Sequence, residues 1–121
     1  MHELEKHIQS HILEYLKLRR ILCWKNSTSG IYVRSRDTYI PSHAVGVSDI
    51  LGVLPGGRIL CIEVKSESGR LSDAQKAFLE NVTARGGVAF VAQSLEDVEA
   101  KLFPKKSVKM QPGKKYRPHA A

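Results

Sequence analysis

Aliphatic residues recur every fourth position at the start of the chain: Leu4, Ile8, Ile12 and Leu16, with Leu13 and Tyr15 alongside. That period predicts an amphipathic helix from about His2 to Arg20. The pattern then changes. Ile21-Leu22-Cys23-Trp24 is an apolar run of strand length, closed by Asn26-Ser27-Thr28-Ser29-Gly30. Residues 31–45 are polar and mixed, with Pro41, and predict an irregular loop with room for one short strand. Two further apolar runs, Ser48 to Leu54 and Arg58 to Lys65, flank Pro55-Gly56-Gly57, the signature of an antiparallel hairpin.

After a polar loop from Ser66 to Leu71, Ser72-Asp73-Ala74-Gln75 has the spacing of a capping box. The helix it opens would turn Ala77, Phe78, Val82 and Leu79 inward and end at Gly86-Gly87, since glycine tolerates the left-handed C-terminal position. Val88 to Ala92 is wholly apolar, as in a strand covered on both faces. Ser94 then caps a last helix, from Leu95 to about Phe103, stopped before Pro104. The order helix, strand, hairpin, helix, strand, helix predicts an α/β domain: a small mixed sheet with helices on both faces.

Composition adds bounds. A chain of 121 residues suits one core, and 42% hydrophobic with 26% charged content is that of an ordinary soluble protein. No apolar run approaches the roughly 20 residues of a membrane span, and no signal-peptide pattern opens the chain, so a cytoplasmic location is expected. Cys23 and Cys61 lie among aliphatic residues and read as buried, reduced thiols. Net charge is +7, which favours a polyanionic partner. The excess sits at one end. Between Pro104 and Ala121 stand Lys105, Lys106, Lys109, Lys114, Lys115 and Arg117, with no acid. We therefore divide the chain into a near-neutral body, 1–103, and a basic tail, 104–121, suited to phosphate contact.

Three charges interrupt this hydrophobic plan. Asp49 follows Gly46-Val47-Ser48, and Glu63 and Lys65 stand in the second hairpin strand. Strand side chains alternate faces, so Cys61, Glu63 and Lys65 share one face while Leu60, Ile62 and Val64 share the other. Asp49 reaches the same space if the register permits. Converging carboxylates repel unless a cation separates them. Oxygen ligands without a histidine pair suit Mg²⁺ or Mn²⁺ better than zinc. Such an ion activates water and stabilises charge on phosphate, with Lys65 placed to assist. On the residues alone, a surface ion pair between Glu63 and Lys65 explains the spacing equally well.

The combination is more specific than its parts. Gly46-Val47-Ser48-Asp49, then Glu63-Val64-Lys65 fourteen residues after the aspartate, then Gln75 on the following helix, resembles the PD-(D/E)XK nuclease superfamily. Within it, the pattern is similar to the VRR-NUC family, virus-type replication-repair nucleases. The likeness includes Glu5 to Gln9 of the first helix and Trp24-Lys25-Asn26, and spans roughly Glu5 to Val98. Ser48 stands where the superfamily name has proline, and the Gly-x-Ser-Asp form is common in this family. The resemblance implies a restriction-endonuclease-like core and a metal-dependent DNA endonuclease. It implies Asp49, Glu63 and the Val64 carbonyl as ligands of Mg²⁺ or Mn²⁺, Lys65 as catalytic lysine, and Gln75 as the residue that places the lysine or the attacking water. It further implies a metal-binding glutamate on the first helix, a homodimer, branched DNA such as a Holliday junction as substrate, and a phage or bacterial setting.

Helix geometry selects that glutamate. At about 100° per residue, Glu5 falls within about 30° of the direction set by Leu4, Ile8, Ile12 and Leu16, whereas Glu3 and Glu14 lie outside it. Favourable charge at a helix N-terminus is the alternative explanation of Glu5. Gln75 likewise has two claims on it, a capping amide and a site residue. Arg34, Arg36, Arg70, Lys76, Lys105 and Lys106 are candidate phosphate contacts. His7 and His11 read as surface histidines, His43 lies in the loop before the motif, and Trp24 reads as core. The competing functions are a flap nuclease or nickase without junction preference, and a non-catalytic nucleic-acid-binding module.

Overall fold

The computed structural model describes residues 2–26, 31–40 and 46–105. Helix α1 (His2–Leu18) opens the chain. It stops two residues short of the predicted end because Arg20 turns left-handed (φ 61°), so that Ile21 N–H reaches back to the Leu16 carbonyl. Strand β1 (Leu22–Lys25) follows. The region expected to be irregular holds two strands, β2 (Ile31–Val33) and β3 (Thr38–Ile40), paired around a 3₁₀ turn at Arg34–Arg36. Their triplets are too short to show a period. Then come β4 (Ile50–Val53), β5 (Ile59–Val64), α2 (Asp73–Ala84), β6 (Val88–Ala92) and α3 (Leu95–Leu102).

The main sheet runs β1-β4-β5-β6. Its first two pairings are antiparallel and β5 lies parallel to β6, with α2 as the crossover. Ile12 and Leu16 of α1 and Val98 of α3 pack on Ile50, Leu60, Ile62, Val64, Phe90 and Ala92. These strand residues share one face by alternation and by register. Helix α2 covers β5 and β6 from the other face, where Leu79 is its buried residue. Ala77, expected to point inward, is exposed.

Two expectations about the core need correction. The buried line of α1 runs through Gln9, Ile12 and Leu16, and Leu4 is 51% exposed. Trp24 is 46% exposed, because β1 is the edge strand and α2 does not extend over its outer face. Both cysteines are free and buried, and burial pushes both thiols up, away from reactive thiolate.

Candidate active site

Asp49 enters the site because its flanks are clamped. Gly46 has φ +85°, and a Cβ there would lie 2.8 Å from the Ala74 carbonyl oxygen. Only glycine lets this segment rest on the first turn of α2. Asn26, just past β1, donates its backbone N–H to the Asp49 carbonyl (2.7 Å) and its side-chain amide to the Ser48 carbonyl (3.3 Å). Held this way, Asp49 Oδ2 accepts the backbone N–H of Val64 at 2.8 Å. In an extended strand the N–H and C=O of one residue point to the same side. The Val64 carbonyl therefore projects toward Asp49, as the implied ligand set requires.

Glu63 stands on the face of β5 that α2 covers. It is 2% exposed, yet carries an ionisable carboxyl. Oε1 accepts from Gln75 Nε2 at 2.9 Å and lies 3.6 Å from Lys65 Nζ. Oε2 is buried with no partner. Burial, and then the adjacent Asp49 charge, push the Glu63 carboxyl up to about 8, against the opposing pull of Lys65. Oε1 accepts the Gln75 amide and pairs with the Lys65 ammonium, and the carboxyl group lies within hydrogen-bond reach of Asp49.

Gln75 resolves the competition expected for its side chain, because an amide has two ends. Oε1 accepts the Ser72 backbone N–H (2.9 Å), completing the capping box with Ser72 Oγ and the Gln75 N–H. That contact fixes the amide orientation, since only oxygen can accept there. Nε2 is then turned toward Glu63. One residue caps α2 and holds a site carboxylate.

Glu5 also arrives at this end of the sheet. Its Oε1 accepts the Ser66 backbone N–H at 3.2 Å, and a Cβ on Gly69 would approach that same oxygen to 3.0 Å. Glu5 lies one turn before buried Gln9, on the inward line of the helix. Glu14 is exposed. The Glu3 side chain, His43 and Lys106 lie outside the described residues. Arg70, Lys76 and Lys105 are exposed, as are His7 and His11.

The structure thus brings together Asp49, Glu63, Val64, Lys65 and Gln75, with Glu5 of helix α1 bonded to the adjoining loop. Among the described residues no three His, Cys, Asp or Glu side chains cluster as a ready-made metal site. Two carboxylates and a backbone carbonyl form the nearest donor set. Sequence reasoning gave no role to Asn26, Ser66, Gly69 or Gln93. Gln93 donates to the Ser66 carbonyl (3.4 Å), so buried Ser66 is held from both sides. Asn26 and Gln93 act by donating side-chain amides to backbone carbonyls of distant segments, and Ser66 and Gly69 through a backbone N–H and through space for the Glu5 carboxyl.

The VRR-NUC domain family matches residues 5–96, three quarters of the chain. The chain belongs to the VRR-NUC domain family. It is also similar to a solved structure of a VRR-NUC domain, at 27% identity and a TM-score of 0.57, covering 79% of this chain and 90% of that one. No curated protein sequence matches it. Membership places the mixed sheet of this VRR-NUC domain in a restriction-endonuclease-like core and the protein in a family of nucleases, for which DNA is the implied substrate. No helix among the described residues is long and apolar enough to cross a membrane.

Proposed function

We propose that this VRR-NUC domain is a Mg²⁺- or Mn²⁺-dependent endodeoxyribonuclease, a phosphodiester hydrolase selective for branched DNA such as Holliday junctions. The observation that carries the reading is the convergence of Asp49 and Glu63, two carboxyl groups within reach of each other where Glu63 is buried. A module that only bound DNA would have no use for repelling carboxylates facing phosphate. The donor set fits a hard divalent cation. Asp49, Glu63 and the Val64 carbonyl would hold it, with Glu5 contributing from helix α1. The bound ion would supply Lewis-acid stabilisation of phosphate charge and activation of the attacking water.

The chain's own groups do the remainder. Gln75 and Lys65 occupy Glu63 Oε1 and so leave Oε2 for ligation. The Lys65 ammonium supplies positive charge where the phosphate would gain negative charge. Exposed Arg70 and Lys76 hold flanking phosphates, and Lys105, Lys106 and the rest of the basic tail add sequence-independent attraction.

Symmetric incision of a branch needs two sites, which a homodimer provides. The outer face of β1 and β4 supports this reading. Leu22 and Trp24 of β1 and Val53 of β4 are exposed there, on the sheet face that also carries Glu63. An exposed apolar patch of this kind suits pairing with a second copy. Trp24→Lys should convert a dimer to a monomer by light scattering. A wild-type monomer that nicks only flaps would count against the paired reading.

The decisive experiment is cleavage of linear, flapped and four-way DNAs with Mg²⁺ or Mn²⁺, with Asp49→Asn as control. Metal-dependent cutting lost in Asp49→Asn supports the proposal. Binding without cutting in either metal refutes it.

A further inference from the structure

Between β1 and β4 the chain leaves the main sheet at Asn26 and rejoins it at Asp49. The two ends are stitched by the Asn26 contacts to the Asp49 and Ser48 carbonyls. The excursion is therefore rooted beside one of the two site carboxylates. Within it, β2 and β3 make a sheet of their own, not hydrogen-bonded to the main one. Isolated two-stranded hairpins are marginal in water. This one does not spend its largest side chains on burial.

The register sets Tyr32 directly opposite Tyr39, so both rings stand on one face. They are 55% and 59% exposed. Val33, on the other face, is partly buried. The tyrosine hydroxyl of residue 32 donates to Asp37 Oδ1, which ties that ring to the turn. At the tip, Arg34 and Arg36 are exposed in a 3₁₀ turn closed by left-handed Asp37. Two adjacent aromatic rings facing water, with two arginines beyond them, match the chemistry of a nucleotide-stacking platform. A cross-strand aromatic pair also steadies its own hairpin. That role alone would be met as well, or better, with the rings turned inward and Val33 outward.

We propose that this arm binds unpaired nucleotides of the substrate, with bases stacked on Tyr32 and Tyr39 and flanking phosphates held by Arg34 and Arg36. Stacking requires exposed base faces, which a continuous duplex offers only at its ends. The arm thus selects DNA with unpaired or unstacked bases near the cut. Its reach is set by the tether. Tyr32 is six residues from Asn26, a span of at most about 20 Å. The inference rests on the nuclease reading for its substrate, and the test separates the two.

Binding is measured on the full chain in the Asp49→Asn background, which keeps DNA intact. The probes are a labelled 20-nucleotide single strand, a blunt duplex and a duplex with a single-stranded flap. Tyr32→Ala with Tyr39→Ala should weaken the single strand and the flap by roughly tenfold to a hundredfold, and the blunt duplex by less than about twofold. Tyr32→Phe with Tyr39→Phe should restore binding, because the rings remain. Arg34→Ala with Arg36→Ala should weaken all three and lower the salt dependence by about two phosphate contacts. Equal effects of the tyrosine-to-alanine pair on single strand and duplex, or no effect on either, would overturn the arm. So would failure of the phenylalanine pair to restore binding. Failure of the nuclease reading shows separately, as absence of metal-dependent cleavage by the wild-type chain.

Discussion

Replacing Glu63 by glutamine should make the metal-free protein more stable and abolish its activity. The sign follows from the carboxyl. Its folded pKa, about 8, lies above the ordinary value of 4.5, so folding favours the protonated form. Stability from this group is complete below about pH 4.5 and is lost as pH rises through about 8. At 1.36 kcal/mol per unit, the cost of ionising or retaining the proton at pH 7 is about 3 kcal/mol. That figure is an upper bound, because the proton is shared with Asp49 and glutamine loses the Lys65 ion pair. Glutamine keeps an oxygen for Gln75 and carries no charge to bury. Urea denaturation in chelator, from pH 5 to pH 9, reads the difference between wild type and Glu63→Gln. The gap should be near zero at pH 5 and widen to about 2–3 kcal/mol by pH 8. Adding Mg²⁺ should close most of the gap, stabilising wild type by about 2.7 kcal/mol at a hundred times the dissociation constant and leaving the variant unmoved. A variant no more stable than wild type at pH 8 without metal would refute the assignment of Glu63 as a buried carboxyl beside Asp49.

Three other perturbations follow from the same geometry. Gln75→Glu keeps an oxygen for the Ser72 N–H but opposes Glu63 Oε1 with another acceptor, so the melting temperature should hold while nicking falls at least tenfold. Gln75→Ala should lose both, including about 1 kcal/mol of helix capping. Gly46→Ala places a side chain at φ +85° and 2.8 Å from the Ala74 carbonyl, and should cost about 1–3 kcal/mol in denaturant while lowering cleavage through displacement of Asp49. Glu5→Gln should reduce cleavage and Mg²⁺ affinity while Glu3→Gln does neither, and the reverse pattern in a nicking assay would reassign the helix ligand.

The elements with a long period or a cap were readable from the chain: α1 from its four-residue spacing, α2 from Ser72 and Gln75, α3 from Ser94, and the hairpin from Pro55-Gly56-Gly57. Asp49, Glu63 and Lys65 stood out as charges against an aliphatic background, but their spacing suited a surface ion pair as well, and only the family resemblance joined them in a candidate site. Leu4 and Trp24 misled for one reason: apolar character shows that a residue can be buried, not that a neighbour arrives to cover it. The β2–β3 arm escaped notice because three-residue strands carry too little alternation to count. The contacts of Asn26, named only within the Trp24-Lys25-Asn26 likeness, and those of Ser66 and Gly69 could not be read, because they join segments distant in the chain.

The distribution of charge separates holding DNA from cutting it. The body of the chain carries nearly equal numbers of acids and bases, and the cleft itself presents Asp49 and Glu63. Without a cation, Asp49 is the negative charge a phosphate would meet there, since Glu63 is held protonated up to about pH 8. Attraction must then come from groups outside it: the tail, the rim residues Arg70 and Lys76, and the arginines of the arm. In the proposed reaction a divalent ion would offset that charge, so metal and DNA should each raise the affinity for the other, by the reciprocity of linked equilibria. Glu63 is the residue through which the coupling would pass, since ligation would require its carboxylate form. The coupling should therefore weaken as pH falls below about 8, where proton and cation compete for Oε2, and should vanish in Glu63→Gln even though the arm and the rim still hold DNA.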